Sequence, residues 1–296
     1  MDPFVEYSHH VACGMEPGMQ NSSASSEDHW PQAEPTDRKT EGCRLVDQVR
    51  RDICDFLTSC SELLFNERDL QMHLALWLRQ SDSAYDDVDL EYFVPYQELD
   101  KGPNGYLWEN ELRLDIVVRK GREFLPVELK YKTRRITCAT ERFGEKLGGN
   151  IEVVKNQGAQ DLGMYNFWKD VRRLELVRRR FHTSVKNGLS VFVTNDPKYL
   201  RKSPQSNHEA FGMSEGVHET RKCWGNRHSA CAAKNPNFEV EQPYAIHWHR
   251  HNIVGNIFYF CIVQIGESDD SPDEATKECF RIGSSSGVST NEAELL

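Results

Sequence analysis

The sequence predicts an α/β protein in which helices flank a mixed central sheet. Apolar residues recur at helical spacing near the start of the chain, and strand-like alternation follows over residues 112–132. A long helical pattern then precedes a short apolar strand at 189–193. With a further strand at 91–97, weakened by Pro95, the core elements run in the order α-β-β-β-α-β. A chain of 296 residues is long enough to bury a sizeable core.

Acidic segments flank the predicted domain. Residues 1–42 and residues 267–296 each carry eight acids and two bases, and neither segment shows hydrophobic periodicity. We expect both tails to be disordered. They account for the net charge of −10, because residues 43–266 alone carry +2. Within this single predicted domain, residues 62–195 form the core, and residues from about 198 to 238 form a polar, aperiodic insertion or mobile loop.

The composition also indicates the cellular compartment. The chain contains no run of 18 apolar residues, and its first ten residues lack the basic and apolar regions of a signal peptide. Its nine cysteines include no C-x-x-C pair, which is typical of free thiols in a reducing environment. These features argue against a membrane-spanning or disulfide-stabilised secreted protein. They predict a soluble, intracellular protein of the cytoplasm with no membrane partner.

Two helices are predicted near the start of the domain, and the second carries an acidic residue on its apolar face. The first covers residues 43–60. The second begins near Asn66, an N-cap candidate, and Asp69 completes a weak capping box. A glutamate in a first turn favours the helix dipole, which is a structural explanation for Glu67. Its position in the inward stripe favours a functional one; this stripe consists of Leu63, Glu67, Leu70, Leu74 and Trp77.

A hairpin is predicted over residues 112–132, with Gly121 in its turn. Successive side chains of a strand point to opposite faces. Asp115 is therefore expected on the face opposite the apolar row of its strand. In the second strand, Glu128 and Lys130 are two residues apart and project together. The alternation thus predicts an aspartate, a glutamate and a lysine on a common face; the apolar row of the first strand is Leu112, Leu114, Ile116 and Val118.

A long helix is predicted from about residue 154 to 185, after a Gly- and Lys-containing loop at 133–152 that could act as a flap. Stepping back from the apolar stripe of this helix by four and then three residues leads to Gln160 and Gln157. Glutamine is usually a surface residue, so we expect these two amides to bond to something at the edge of the sheet. The stripe consists of Met164, Phe167, Val171, Leu174, Val177 and Phe181.

Two basic clusters are candidates for contact with phosphates. One lies at residues 130–135 and the other at residues 171–180. For the second cluster a solvated helix face is an equally good explanation. The residues that we assign to nucleic-acid binding are Lys132, Arg134, Arg135, Arg172 and Arg173.

Further strands are predicted at 244–251 and at 256–265, the second of them central because it is strongly apolar. Soft ligands in the insertion could bind zinc, but their spacing matches no familiar zinc motif; they are His218, Cys223, His228 and Cys231. Three alternating histidines are better explained as exposed residues than as ligands; they are His247, His249 and His251. No phosphate-binding loop and no nucleophile motif is present.

The order of the polar residues resembles that of the PD-(D/E)XK nuclease superfamily, which has a restriction-endonuclease-like fold. The resemblance covers residues 62–195 and centres on Asp115, followed after twelve residues by E-x-K at 128–130. A helix glutamate, Glu67, precedes this core, and Gln157 and Gln160 follow it. The chain departs from the family pattern at Leu114, where the family name has proline.

The resemblance implies a metal-dependent nuclease that uses Mg²⁺ or Mn²⁺ and acts on nucleic acid, with DNA favoured over RNA. Asp115 and Glu128 would be the metal ligands, with the carbonyl of Leu129 as a further ligand and Glu67 as an outer one. Lys130 would orient or deprotonate the attacking water, and Gln157 or Gln160 would hold the scissile phosphate or the water. A nuclease-fold module that binds nucleic acid or protein without catalysis is the alternative, and a homodimer stays open.

Overall fold

A mixed six-stranded sheet with helices on both faces forms the centre of the protein in a computed structural model of the chain. The structure describes residues 44–95 and 111–266, without the side chain of Arg142. The predictions for the two tails and for the turn at 102–105 lie outside these residues. The described residues belong to one compact unit.

The described part of the chain contains four α-helices and twelve strands. The helices are α1 Leu45–Ser59, α2 Glu67–Gln80, α3 Gln160–Arg180 and the short α4 Ala230–Lys234. The strands before α3 are β1 Asp87–Val94, β2 Leu112–Lys120, β3 Glu123–Lys132, β4 Ile136–Arg142 and β5 Glu145–Val154. The strands after it are β6 Asn187–Thr194, β7 Gly216–His218, β8 Arg221–Lys222, β9 Phe238–Glu239, β10 Tyr244–Ile246, β11 His249–Ile253 and β12 Asn256–Gly266.

The central sheet has the strand order β1-β2-β3-β6-β12-β11. Strands β3 and β6 are parallel, and every other neighbouring pair in this sheet is antiparallel. The predicted α/β class with a mixed sheet flanked by helices is therefore confirmed. The apolar strand after the long helix lies inside the sheet as β6, with all eight residues buried. Strand β12 also lies inside the sheet, as its apolar sequence predicted.

Each face of the sheet has its own apolar core. Helices α1 and α2 cover one face, where Val46, Ile53, Leu70 and Leu74 are buried. Helix α3 covers the other face together with part of the chain that follows β6. Helix α1 and the N-cap of α2 at Asn66 agree with the sequence prediction. No helix among the described residues is both long and apolar enough to cross a membrane.

The segment predicted as a loop at 133–152 is instead largely a β-hairpin. Strands β4 and β5 pair only with each other among the described strands, and the turn between them has positive φ at Phe143 and Gly144. Most of the side chains near the turn are exposed, and Phe143 is fully so. Because neither strand buries an alternating face there, the period-2 signal that identifies a half-buried strand is missing.

Helix α3 begins at Gln160, not near residue 154 as predicted. Val154 is the last residue of β5, and Ala159 at the N-cap has φ of 57°, in the left-handed region. Such a residue interrupts a right-handed helix, so Gln157 lies outside α3. The helix ends at Arg180, and the predicted stripe residue Phe181 is the C-cap.

Three further predictions need correction. Strand β1 starts at Asp87, four residues before the predicted start. The predicted strand at 244–251 is two strands, because β10 pairs with β7 whereas β11 pairs with β12. The segment predicted as a polar insertion or mobile loop is not polar throughout, because Phe211, Met213 and Trp224 are buried and pack against α3. These residues are single apolar positions among polar ones, so the segment shows no periodicity despite its core.

Candidate active site at the β2–β3 hairpin

The predicted hairpin is present as β2 and β3. Its two-residue turn begins at Gly121, whose φ of 61° suits glycine because a side chain would be strained there. Pairing starts at Lys120 opposite Glu123 and continues to Ile116 opposite Val127. The two strands form no further paired residues beyond that point. The end of this ladder lies next to Asp115 and Glu128.

The predicted apolar row of β2 does not lie on one face. Leu112 and Leu114 pack in the core under α3, whereas Ile116 and Val118 pack in the core under α1 and α2. The change of face occurs at Asp115. In the neighbouring strand β1, the residue between the partners of Ile116 and Leu114 is Glu91, and its φ of 51° breaks the regular alternation. Positive φ in a non-glycine strand residue is uncommon and is often found at functional sites.

Asp115 is held by backbone and side-chain contacts on both sides. Its Oδ2 accepts a hydrogen bond of 2.6 Å from the backbone N–H of Leu129. Its backbone carbonyl accepts a 2.7 Å bond from Nε2 of Gln71, which also donates to Oε1 of Glu91 at 3.1 Å. Gln71 lies in α2 and is buried. Helix α2 therefore fixes the strand break that positions the Asp115 carboxylate.

Glu67 reaches the same hairpin from the first turn of α2. The N-cap Asn66 accepts a bond from the N–H of Asp69, while Asp69 accepts one from the N–H of Phe65. This cap fixes the start of the helix. Oε2 of Glu67 accepts a 2.9 Å hydrogen bond from the N–H of Tyr131 in β3. Glu67 thus contacts the strand that carries Glu128 and Lys130.

Glu128 lies at the centre of the site and is almost completely buried, at 3% exposure. Its carboxyl group and that of Asp115 are close enough for each to influence the pKa of the other. Burial, and then the charges of Asp170 and Asp115, raise the pKa of Glu128 well above its usual range. Burial also raises the pKa of Asp115, against the opposing effect of Lys130. Oε1 of Glu128 has no hydrogen-bond partner among the described residues.

Lys130 faces a buried aspartate of α3 that the sequence interpretation missed. Its Nζ lies 2.7 Å from Oδ2 of Asp170 and donates a 2.9 Å hydrogen bond to the carbonyl of Leu129. Burial alone would lower the pKa of Lys130, but Asp170, with smaller contributions from the other carboxylates of the site, raises it above its usual value. Asp170 is 2% exposed, and its Oδ1 also accepts a 3.1 Å bond from Arg173. The ammonium is therefore charged and enclosed by carboxylates.

The structure does not bring every predicted site residue into this cluster. The carbonyl of Leu129 is occupied by Lys130. Gln157 bonds through its backbone N–H to Thr133, and Gln160 donates from Nε2 to Oδ2 of Asp196 at 2.9 Å. Neither glutamine forms a hydrogen bond with Asp115, Glu128 or Asp170. The role of both amides on a phosphate or water stays a prediction.

The predicted phosphate-binding residues fall into two groups. Arg172 and Arg173 are partly buried and form ion pairs with Glu175 and Asp170, so most of their charge is neutralised within the protein. Lys132 is half-buried at the end of β3, and Arg134 and Arg135 follow it as exposed residues. Arg135 forms an ion pair of 3.2 Å with Glu152; Arg134 is fixed through its backbone by two hydrogen bonds to Asn195.

Among the described residues, no three His, Cys, Asp or Glu side chains are grouped so that they could hold a metal ion. In the insertion, His218 bonds to the carbonyl of Ser214, and Cys231 contacts Asp161. The three alternating histidines have separate partners: His247 pairs with Glu215, His249 stacks on Phe260, and His251 bonds to the carbonyl of Cys60. Of these three, only His247 is exposed.

Two hard oxygen donors nevertheless meet at the end of the ladder. The pKa values of Asp115 and Glu128 are both raised by burial, and Oε1 of Glu128 is buried without a hydrogen-bond partner among the described residues. A divalent cation such as Mg²⁺ or Mn²⁺ prefers carboxylate oxygens, and its charge would favour the ionised form of both groups. The donor set therefore suits a hard cation held by two carboxylates. Lys130 adds a fixed positive charge at the same place.

Comparisons of the chain with protein-family models, with curated proteins and with solved structures gave no match.

Proposed function

We propose that this protein is a metal-dependent nuclease with a restriction-endonuclease-like core, and that it hydrolyses phosphodiester bonds of nucleic acid, preferably DNA. One observation carries the proposal. Two strands of a hairpin separate after Ile116 and Val127, and Asp115, Glu128 and Lys130 meet at that point. Glu67 reaches the same strand from α2. A surface hairpin with the same residue types would not need these groups buried together.

In this proposal Asp115 and Glu128 would hold Mg²⁺ or Mn²⁺. When bound, the cation would supply positive charge to the phosphate and hydroxide near neutral pH. Because burial, and then the charges of Asp170 and Asp115, raise the pKa of Glu128, this group must lose a proton before it can serve as a ligand. Lys130 carries a fixed positive charge that stabilises the negative charge of the pentavalent phosphorus. Because its pKa is raised, Lys130 acts as a charge or as a hydrogen-bond donor rather than as the base.

Asp170 and Glu67 are positioning residues. Asp170 fixes the Lys130 ammonium from α3, and Glu67 fixes the backbone of β3 at Tyr131. Each holds β3 from a helix on a different face of the sheet. The strand that carries Glu128 is thereby held from both sides.

A binding module that keeps this fold without catalysis is the second candidate. The near-complete burial of Glu128 and the pairing of Lys130 with Asp170 favour it, because both features also occur in purely structural ion-pair networks. The two candidates differ in metal binding. A nuclease site should bind Mn²⁺ with an affinity that Asp115→Asn abolishes, whereas a structural network should show no such dependence.

The test of catalysis uses purified full-length protein with Mn²⁺ or Mg²⁺ and labelled single-stranded, double-stranded and branched DNA and RNA. We expect cleavage by the wild type and a loss of at least about 100-fold in rate for Asp115→Asn and Lys130→Ala, since each removes an electrostatic contribution to the transition state. Glu175→Gln is the matched control. Glu175 is likewise buried, but it lies in α3 and bonds to Arg172 and Tyr244. Equal cleavage by wild type and both site variants, or none on any substrate, would rule out the nuclease proposal.

A further inference from the structure

A second site lies at the N-terminal end of α3, apart from the carboxylate cluster. It is a cleft of about 410 Å³ between the first turns of α3 and the segment that follows β6. Lys198, Arg201, Lys202 and His208 line one side of it, and Gln160 lies on the helix side. The proposed catalysis uses none of the four basic residues.

The charge of this cleft is not neutralised by neighbouring acids. Lys198, Arg201 and Lys202 are exposed, and none of the three forms an ion pair with an acid in the described part of the chain. Asp161 is the acid among the lining residues, and Cys231 contacts its carboxylate. Asp196 lies beside the cleft and is buried, and its carboxylate accepts hydrogen bonds from Gln160 and from the N–H of Lys198. Three exposed positive charges therefore face two acids. In the arginine cluster of α3, by contrast, Arg172 and its neighbours are paired with acids.

The cleft opens at the same end of the sheet as the predicted basic segment of β3. Gln160 bonds to Asp196, which comes two residues after the end of β6, and β6 runs parallel to β3. Asn195 is bonded twice to the backbone of Arg134. The basic residues at 132–135 and those of the cleft thus lie along one end of two neighbouring parallel strands.

The distance between the cleft and the carboxylate cluster suits a ligand with several phosphates in a row, such as a nucleic-acid strand. Asp170 contacts Lys130 and lies ten residues after Gln160 on the same helix, which corresponds to about 15 Å along the helix axis. One DNA strand carries a phosphate about every 3.4 Å of duplex axis, so about four phosphates span this distance. A single phosphate group could not reach both places.

We infer that this cleft binds the phosphate backbone of the nucleic-acid strand a few nucleotides from the bond that is cut. The inference rests on the proposed function only for the position of that bond. Lysine and arginine that are exposed and unpaired with acids can contact phosphates and release the counterions that surround them. Backbone N–H groups in the first turn of α3, whose N-cap Ala159 offers no side-chain cap, favour the same negative charge.

The test is a triple variant with Lys198→Ala, Arg201→Ala and Lys202→Ala in the full chain. Its binding to a fluorescein-labelled 20-nucleotide DNA, single-stranded or duplex, is measured by fluorescence anisotropy in EDTA at several salt concentrations. We expect affinity at low salt to fall by about tenfold to 100-fold, and the slope of log K against log salt to decrease by about 2 to 3 in magnitude. All three side chains are exposed, so the variant should fold, which circular dichroism checks.

The control variant removes three positive charges at the opposite end of the sheet. Arg122 and Lys186 are exposed, and they come directly before β3 and β6 in the chain. Arg79 is exposed in the last turn of α2. Their replacement by alanine changes the net charge by the same amount. We expect it to lower the affinity by less than about threefold, because these residues lie away from the cleft.

Equal losses of affinity in the two triple variants would overturn the inference, because the effect would then reflect net charge. Binding of a mononucleotide or of pyrophosphate as tight as that of the 20-nucleotide strand would also overturn it, since it would show a site for a small phosphate compound. The proposed nuclease function is judged separately by cleavage in Asp115→Asn. A chain that binds through the cleft but does not cleave would support the inference and exclude the nuclease.

Discussion

The raised pKa values of Asp115 and Glu128 make the candidate site sensitive to pH. Asp115 keeps an N–H donor from Leu129, whereas Oε1 of Glu128 has none among the described residues. The protonated form is therefore favoured at Glu128, in agreement with its raised pKa. The ammonium of Lys130 cannot pair with both Asp115 and Glu128, because Asp170 and the carbonyl of Leu129 already hold it. A cation that displaced the proton would relieve this conflict.

The first residue-scale prediction concerns Glu128→Gln. In the folded wild type the pKa of Glu128 is raised above 4.5. Below about pH 4.5 this group is therefore protonated in both the folded and the unfolded protein, and it contributes no pH dependence to the stability. As the pH rises above 4.5, the unfolded chain loses the proton and the folded protein keeps it. The free energy of unfolding of the wild type should then fall by about 1.4 kcal/mol per pH unit until the pH passes the folded pKa.

Glutamine does not titrate, so the variant should lack this decrease and become the more stable protein toward neutral pH. Urea unfolding of both proteins between pH 4 and 8, without added metal, measures the difference. Glu145→Gln in the exposed turn region of the β4–β5 hairpin is the control, because it makes the same substitution away from the buried carboxyl groups. A flat difference for Glu128→Gln would mean that Glu128 is ionised in the folded protein.

Helix α3 connects the candidate active site with the basic cleft, and its packing depends on one glycine. Gly163 lies in the first turns of α3, where its backbone approaches Tyr199 from the segment after β6. A Cβ at this position would overlap the Tyr199 hydroxyl and come within 3.1 Å of two ring carbons. The Tyr199 hydroxyl is buried and has no hydrogen-bond partner among the described residues. The close approach, rather than the backbone conformation, requires glycine here.

The element-scale prediction is that Gly163→Ala destabilises the protein by about 1 to 3 kcal/mol, because the overlap costs more than the gain of alanine in a helix. Tyr199→Phe should by itself change the stability by less than about 1 kcal/mol, since it removes a hydroxyl group that lacks a partner. When Tyr199 is replaced by phenylalanine, Gly163→Ala should cost much less stability than it does in the wild type. Urea unfolding of the four proteins measures the coupling, and additive effects would contradict the proposed contact.

The same elements show how far the sequence predicts the structure. Helix α2 with its cap at Asn66, the β2–β3 hairpin and the buried strand β6 follow from strong periodic patterns or from turn and cap residues. Those signals are local. The change of face at Asp115 depends on Glu91 in the neighbouring strand and on Gln71 in α2, which are far from it in sequence. No local pattern in β2 could reveal this change.

The prediction of the candidate site likewise depends on local periodicity, which indicates the face of a helix or strand from which each side chain projects. Glu67, Glu128 and Lys130 were found because each projects from a regular element. Asp170 carries the same signal, since it is three residues after Phe167 and four before Leu174 on the buried stripe of α3. The partner of each side chain was beyond prediction, because pairings such as Lys130 with Asp170 arise only when α3 packs on the sheet.

The charge of the whole molecule opposes the proposed partner. The full chain carries −10, although residues 43–266 carry +2, because each acidic end segment contributes −6. A net negative charge repels nucleic acid over distances up to about the Debye length, which is about 10 Å at 0.1 M salt. The unpaired basic residues of the cleft act against this repulsion at short range. The repulsion by the net charge and the attraction by the basic residues of the cleft differ in their dependence on salt concentration.

The prediction at this scale concerns the eight acids of residues 267–296. Replacing them by the corresponding amides keeps the length of the chain and changes its net charge from −10 to −2. We expect this variant to bind the labelled 20-nucleotide DNA more tightly at about 0.05 M salt, and the advantage to disappear near 0.5 M, where screening is strong. A control variant with the same residues in shuffled order should bind like the wild type, because its charge is unchanged. Equal affinity of the amide variant and the wild type at every salt concentration would show that the acidic segment has no electrostatic influence on binding, and that the basic cleft acts without opposition from it.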